Sequence, residues 1–477
     1  MFRGCRARAA GSLLCAMLTA CGSGSGGGGG GATPPASAAL TPLAAAGEAL
    51  FFDTSLSASG KQSCGTCHVP ALAFSADPAT DQGLPVPLGG PNRDLPGFRN
   101  TPSLMYAAFT PPFALVGGTP TGGFFRDGRA SSLAVQAEQP FLTPFEMANA
   151  DAAEVLARLE RSPATLELFK SAFGGAVLAD PAATLAAIGQ AVAAFETEAP
   201  EFAPFSSKYD AWLEGRAQLT VAEQSGLALF NDPAKGNCTA CHPSQRGPYS
   251  EHALFTDFTY DNVGVPRNWS IPANLPAPHS PVSGVPLDYV PPQANVPADS
   301  EYAWYDMGLC GPFGPAAGDA HPRPVFTQTT SLCGLFKVPT LRNIAITAPY
   351  FHNGALPTLH KVVEWYVTRD INDNTGNNPT PAAPGVNAYF PAGTSYLNEA
   401  GAPDLYQYND LPPDFDANVN IGEVPYTPPA FAGGQAPTLS ASEIDDVVAF
   451  LCTLTDGYDP QNPAAYRLPA QCLPGAN

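Results

Sequence analysis

Two short stretches place paired thiols beside an imidazole: Cys64-Gly-Thr-Cys67-His68 and Cys238-Thr-Ala-Cys241-His242. Two cysteines at this spacing can each bond to a vinyl group of one haem, and the histidine that follows falls under the iron as an axial ligand. A redox dithiol needs no trailing histidine, and a zinc site needs more ligands close by. Neither explains why the same pattern occurs twice. The sequence therefore predicts two covalently bound c-type haems, one held by Cys64, Cys67 and His68 and the other by Cys238, Cys241 and His242.

A third stretch, from Tyr350 to Tyr366, offers four possible ligand side chains and no cysteine: Tyr350, His352, His360 and Tyr366. Pro357-Thr358 reads as a helix start with Thr358 as the cap. Leu359, Val362, Val363 and Tyr366 follow at i, i+3, i+4 and i+7, which puts them on one inward face. Periodicity alone favours reading Tyr366 as a core tyrosine.

The elements that must position these groups repeat. Gly47-Glu-Ala-Leu-Phe51-Phe-Asp53 precedes the first motif, and Gly226-Leu-Ala-Leu-Phe230-Asn-Asp232 precedes the second. Both read as the end of a helix entering a haem loop, and Thr220-x-x-Glu223 is a capping box that starts the second of these helices. Helical patterning is clear over Ala152–Phe169, read as one helix, and over Pro181–Thr197. Ser440-x-x-Glu443 caps a last helix, with Ile444, Val447, Val448 and Leu451 on one face. Strand signal is weak throughout. The predicted class is mostly α, with two cytochrome-c-like haem domains at 41–204 and 205–477. Stretches rich in Pro, Gly, Asn and Asp at about 262–325 and 371–438 have no helical period and read as long surface loops.

The chain has 477 residues, of which 13% are charged, with a net charge of −20. An acidic surface argues against nucleic acid as a partner and favours a basic protein. Arg3, Arg6 and Arg8 precede an apolar run from Ala9 to Ala20, too short to span a membrane. Leu18-Thr19-Ala20-Cys21 reads as a lipobox, which makes 1–21 a lipoprotein signal and 22–40, with its glycine run Gly26–Gly31, a flexible tether. The expected location is the periplasm, with a lipid anchor in the outer membrane as the only membrane contact. Outside the signal and the two motifs, Cys310, Cys333, Cys452 and Cys472 remain. An oxidising compartment suits two disulfides, and of three possible pairings 310–333 with 452–472 is the simplest.

The order of motifs resembles the bacterial di-haem cytochrome c peroxidase family, in particular its MauG-like branch. The residues that carry this are Gly60–His68, Arg99-Asn-Thr-Pro-Ser103, Phe125-Arg-Asp-Gly-Arg129, Glu146-Met147, Cys238–His242, Lys337–Asn343 and Pro349-Tyr-Phe-His-Asn-Gly354. The resemblance implies hydrogen peroxide reduction at the N-terminal haem and electron transfer through the C-terminal one. The donor would be a small redox protein or a protein substrate. It makes Glu146 the distal acid–base residue. Simpler family members block the first haem with a distal histidine, but no histidine lies between His68 and His242, so an open first haem is expected. Tyr366 stands where ordinary members carry a methionine ligand to the second haem, and the mature chain has only Met105, Met147 and Met307. Arg126 stands where the family places a relay tryptophan. Calcium is implied at the Asn100 side chain and the Thr347 and Pro349 carbonyls. The alternative reading is an electron-transfer di-haem cytochrome without peroxide chemistry.

Overall fold

The structure, a computed structural model, describes residues 39–268, 270–274, 306–310, 330–369, 410–411, 413–425 and 437–473. The expected signal, nearly all of the tether and most of both insertions lie outside the described residues.

The first half is built from α1 (Pro42–Phe52), a one-turn α2 (Cys64–Cys67), α3 (Leu133–Leu142), α4 (Ala152–Leu159), α5 (Pro163–Phe173) and α6 (Pro181–Glu198). The second half has α7 (Lys208–Leu213), α8 (Val221–Asn231), α9 (Leu359–Thr368) and α10 (Ala441–Cys452). Among the described residues, strands form three antiparallel two-stranded pairs of two or three residues each: β1 (Leu88–Gly89) with β2 (Leu95–Pro96), β3 (Ala114–Val116) with β4 (Thr119–Thr121), and β5 (Tyr260–Asp261) with β6 (Phe336–Lys337). The fold is mostly helical, as expected. No described helix is long and apolar enough to cross a membrane.

The single helix expected over Ala152–Phe169 is two helices. Pro163 has no N–H to continue the ladder and fits the first turn of a new helix, so the chain breaks at Arg161-Ser162 and restarts. The expected caps form: Thr220, Thr358 and Ser440 accept from the backbone N–H groups of Glu223, Lys361 and Glu443. Each is worth about 1 kcal/mol.

The repeat in the sequence is a repeat in packing. A Cβ at Gly47 would lie 1.9 Å from the Ala191 carbonyl oxygen on α6, and one at Gly226 would lie 1.9 Å from that of Asp446 on α10. In each half a glycine lets the entry helix press its backbone against the closing helix. One turn on, Phe51 meets Phe195 edge-on at 5.5 Å, and Phe230 meets Phe450 at 5.2 Å. All four rings are buried in two cores, the first of which also takes in Leu254 and Phe258.

The halves meet where equivalent loops converge. Tyr106 (φ 63°) and Asn343 (φ 61°) occupy matching left-handed positions. Both donate to Asp456 Oδ2, the Tyr106 hydroxyl at 2.6 Å and Asn343 Nδ2 at 2.7 Å. Beside them the buried Arg342 guanidinium is held bidentately by Asp210 at 2.8 and 2.9 Å.

The disulfides are Cys310–Cys333 and Cys452–Cys472. Some described residues of the insertions are buried anchors and not surface loop. Arg267, Ile271, Met307, Cys310, Asp410 and Leu411 are buried. Asp306 clamps Arg99 of the first half at 2.5 and 2.7 Å. These anchors are single residues scattered through polar sequence, so no periodicity announces them.

Candidate active site

The two haem motifs sit on matching local frames. The His68 N–H donates to the Cys64 carbonyl at 2.8 Å, and the His242 N–H donates to that of Cys238 at 2.8 Å. His68 Nδ1 donates to the Phe74 carbonyl at 2.9 Å, and His242 Nδ1 to the Phe255 carbonyl at 2.8 Å. Phe74 and Phe255 share φ 53°, the backbone twist that aims each carbonyl at its ring. The other ring nitrogen, Nε2, keeps its lone pair, the arrangement of an oriented metal ligand. Burial pushes His68 down to about 4 and lowers His242, so both are neutral at pH 7.

Cys64, Cys67, Cys238 and Cys241 form no disulfide. Burial pushes all four thiols up, which suits an enclosed attachment site and not a thiolate-driven redox pair. Both motifs line one continuous cavity of about 560 Å³. Its wall carries two cations, Arg126 and Lys337, with no carboxylate in hydrogen-bond contact among the described residues. Burial pulls Arg126 down to about 10 and Lys337 down to about 7. Four attachment thiols, two oriented imidazoles and two cations awaiting anions fit haems with their propionates.

The ends of the cavity differ. On the first side Glu146 follows α3 in a turn that β1 holds down. Gly90 N–H donates to the Glu146 carbonyl at 2.8 Å, and the Gln62 side chain donates to the same oxygen. A Cβ at Gly89 would come within 2.2 Å of the Phe145 carbonyl, so only glycine allows this contact. Burial raises the Glu146 pKa, while Arg129 and a bond from Thr143 oppose the rise. The exposure that Glu146 keeps is onto the cavity. Arg129 is itself tied to Asp127 at 3.0 Å. Sequence reasoning missed Gln62 and Gly89 as supports. Met105 and Met147 also line this side.

On the second side Tyr366 enters from α9 and packs against Trp365 at 5.1 Å and Phe351 at 6.1 Å. Burial, then Cys241 and Asp261, raise its phenol pKa. The other three ligand candidates of this stretch are committed elsewhere. The Tyr350 hydroxyl donates to the Ile344 carbonyl at 3.0 Å. His352 binds Asp410 at 2.9 Å and stacks on Phe336 at 3.7 Å. His360 lies 3.4 Å from Asp445 and does not line the cavity. Met307 packs with the Cys310–Cys333 bridge, outside the cavity wall.

Residues 41–218 match the family described as di-haem cytochrome c peroxidase, and 336–369 match one described as RoxA-like, cytochrome c-like. The methylamine utilization protein MauG of Paracoccus denitrificans (strain Pd 1222) is 35% identical over 420 residues, 88% of this chain and 90% of that protein. This chain belongs to the di-haem cytochrome c peroxidase family. It is thus an oxidoreductase of the class that carries two c-type haems. The cytochrome c551 peroxidase of Nitrosomonas europaea is 29% identical, over 68% of this chain and 74% of that one. The crystal structure of the di-haem peroxidase BthA from Burkholderia thailandensis E264 superposes with a TM-score of 0.67 at 34% identity, covering 88% of this chain and 87% of that one.

The calcium expectation meets a competing cation. Asn100, Thr347 and Pro349 all line the cavity. Arg126, however, donates from Nη2 to Asn100 Oδ1 and from Nε to the Asn100 carbonyl, both at 3.2 Å. Asn100 Nδ2 in turn donates to the Pro85 carbonyl at 3.1 Å. A guanidinium already sits on the Asn100 side-chain oxygen, one of the three that a divalent ion would take, and two cations there would repel. With Arg126 in place the Asn100 side chain is already committed, and only the Thr347 and Pro349 carbonyls of the expected set remain.

Proposed function

We propose that this protein reduces hydrogen peroxide in its first pocket, with electrons passing through the second, and that it oxidises a protein or small redox partner. The observation that carries this reading is the asymmetry of one cavity: a raised-pKa carboxyl, Glu146, on the first side and a phenol, Tyr366, on the second. Haem attachment falls to Cys64, Cys67 and His68 and to Cys238, Cys241 and His242. The haem that Cys64, Cys67 and His68 would hold would supply the iron for peroxide chemistry.

Glu146 takes the proton from the near oxygen of peroxide and returns it to the far oxygen, so that water leaves. Burial suits it to this task by bringing its pKa toward neutrality. Arg129 opposes that rise. Gln62 and Gly89 hold the turn that aims it.

Tyr366 is the proposed sixth ligand of the second haem. Its phenol must lose a proton to bind iron, and a tyrosinate is a hard anion that favours higher oxidation states over easy reduction. That favours oxidation of a partner over plain scavenging with electrons from a reduced cytochrome. The net charge of −20 suits a basic partner. Arg126 supplies the cation at Asn100, and no calcium enters this account. Export through the 1–21 signal and anchoring at Cys21 complete the proposal.

The test is Glu146→Gln. It should retain both haems and lose peroxide turnover. Near-normal turnover would remove Glu146 from its role, and a wild-type protein inert to peroxide would support the electron-transfer cytochrome instead.

A further inference from the structure

The closing helices of the two halves align residue for residue: Ala191-Val-Ala-Ala-Phe195-Glu196 on α6 and Asp446-Val-Val-Ala-Phe450-Leu451 on α10. Phe195 and Phe450 hold matching places against Phe51 and Phe230. The next residue of each helix lines the cavity, Leu451 on the second side and Glu196 on the first. A leucine there is what an apolar pocket wall calls for. Glu196 is only 4% exposed, and its Oε2 has no hydrogen-bond partner among the described residues.

An ionised carboxylate without partners is costly to bury, so the group stays protonated unless positive charge appears nearby. Its pKa is pushed up to about 8 by burial alone. The charged groups on the helices packed against α6 do not contribute to that rise: Glu48 on α1 and Glu138 on α3, and the Glu154–Arg158 pair on α4. Glu196 and Cys64 line the same cavity, and after burial it is Glu196, ahead of Glu146, that pushes the Cys64 thiol up.

We propose that Glu196 is a proton-holding residue whose ionisation is linked to the redox state of the haem attached at Cys64 and Cys67. Adding one electron to that haem removes a positive charge from the pocket. One proton from solvent then forms the O–H bond on Glu196, so charge is balanced. Withdrawing the electron returns the proton to solvent. The second pocket has Leu451 in this place; its carboxyls, Asp261 and Glu423, lie beside Cys241 instead. The proposal rests on haem attachment at the first motif and not on peroxide turnover, so it survives if the peroxidase reading fails.

The experiment is a redox titration of the holoprotein against pH, with the two haems separated by their spectra, in wild type, Glu196→Gln and Glu196→Leu. In wild type the reduction equilibrium of the first haem should change with pH near the Glu196 titration, approaching about tenfold per pH unit, the mark of one proton per electron. Both variants should lose that dependence, and the second haem should be unaffected. Redox-difference infrared spectra should carry a protonated-carboxyl C=O band in wild type that is absent from Glu196→Gln. Wild-type pH dependence retained in both variants overturns the proposal, as does an unchanged carboxyl band. The isosteric Gln variant guards against a folding failure in the Leu variant.

Discussion

The two halves share a frame down to the φ angle of the residue whose carbonyl accepts from each histidine, yet the walls of their pockets have parted. The first presents Glu146 and Glu196 to the cavity, while the carboxyls of the second, Asp261 and Glu423, cluster beside Cys241. The second has leucine at the place of Glu196 and brings in Tyr366 on α9, a helix placed between two long insertions. The difference shows how one scaffold can hold two identical cofactors for different work. The frame fixes attachment and the proximal ligand, and the distal wall sets the chemistry.

The comparison breaks most visibly if Glu146 is removed. Glu146→Gln should lower peroxide turnover by about 10²–10⁴-fold, the usual contribution of a positioned acid–base group. Haem content and the spectrum of the second haem should not move. Steady-state turnover with a haem assay checks both.

The shared frame is sharpened by a matched pair, Gly47→Ala and Gly226→Ala. Each Cβ would sit 1.9 Å from a carbonyl oxygen, so the helices must part. Each should cost about 1–3 kcal/mol, read as a lower midpoint in chemical denaturation. If one variant is neutral, the two crossings are not equivalent.

The pH dependence of stability should also separate the halves. The unfolded value for Glu196 is 4.5 and the folded value about 8, so the folded chain binds more protons between them and stability falls as pH rises through that window. Glu196→Leu should flatten this part of the profile, while a conservative change at Leu451 should not.

The smallest effect concerns metal. Dialysis against a chelator should leave the haem spectra unchanged, and elemental analysis should find well under one calcium per chain. Arg126→Gln, which frees the Asn100 oxygens, should gain calcium affinity. One tightly held calcium in wild type would restore the site that Arg126 displaces here.

How much of this was legible beforehand depended on whether the signal was local. The haem motifs and the capping boxes announce themselves within a few residues, and the disulfides join the cysteines nearest in sequence. The break at Pro163 was also local, but the continuing apolar period hid it. The buried anchors Arg267, Asp306 and Asp410 were not legible, because their partners lie far away in sequence. Glu196 lay between these cases. Nothing around it marks a site, and only alignment with Leu451 shows a carboxylate where the repeat expects a hydrocarbon. Tyr366 was found by periodicity and resemblance together, and its neighbours on α9 then explain why the ring reaches the cavity.

The central claim is that one shared frame holds an open first haem and a second haem closed by Tyr366. Electron paramagnetic resonance of the oxidised holoprotein, compared with Tyr366→Phe, tests it most directly. The account predicts two ferric signals, a five-coordinate one that the substitution leaves alone and a six-coordinate one that it changes. Two six-coordinate signals in wild type, or a Tyr366→Phe spectrum identical to it, would contradict the account.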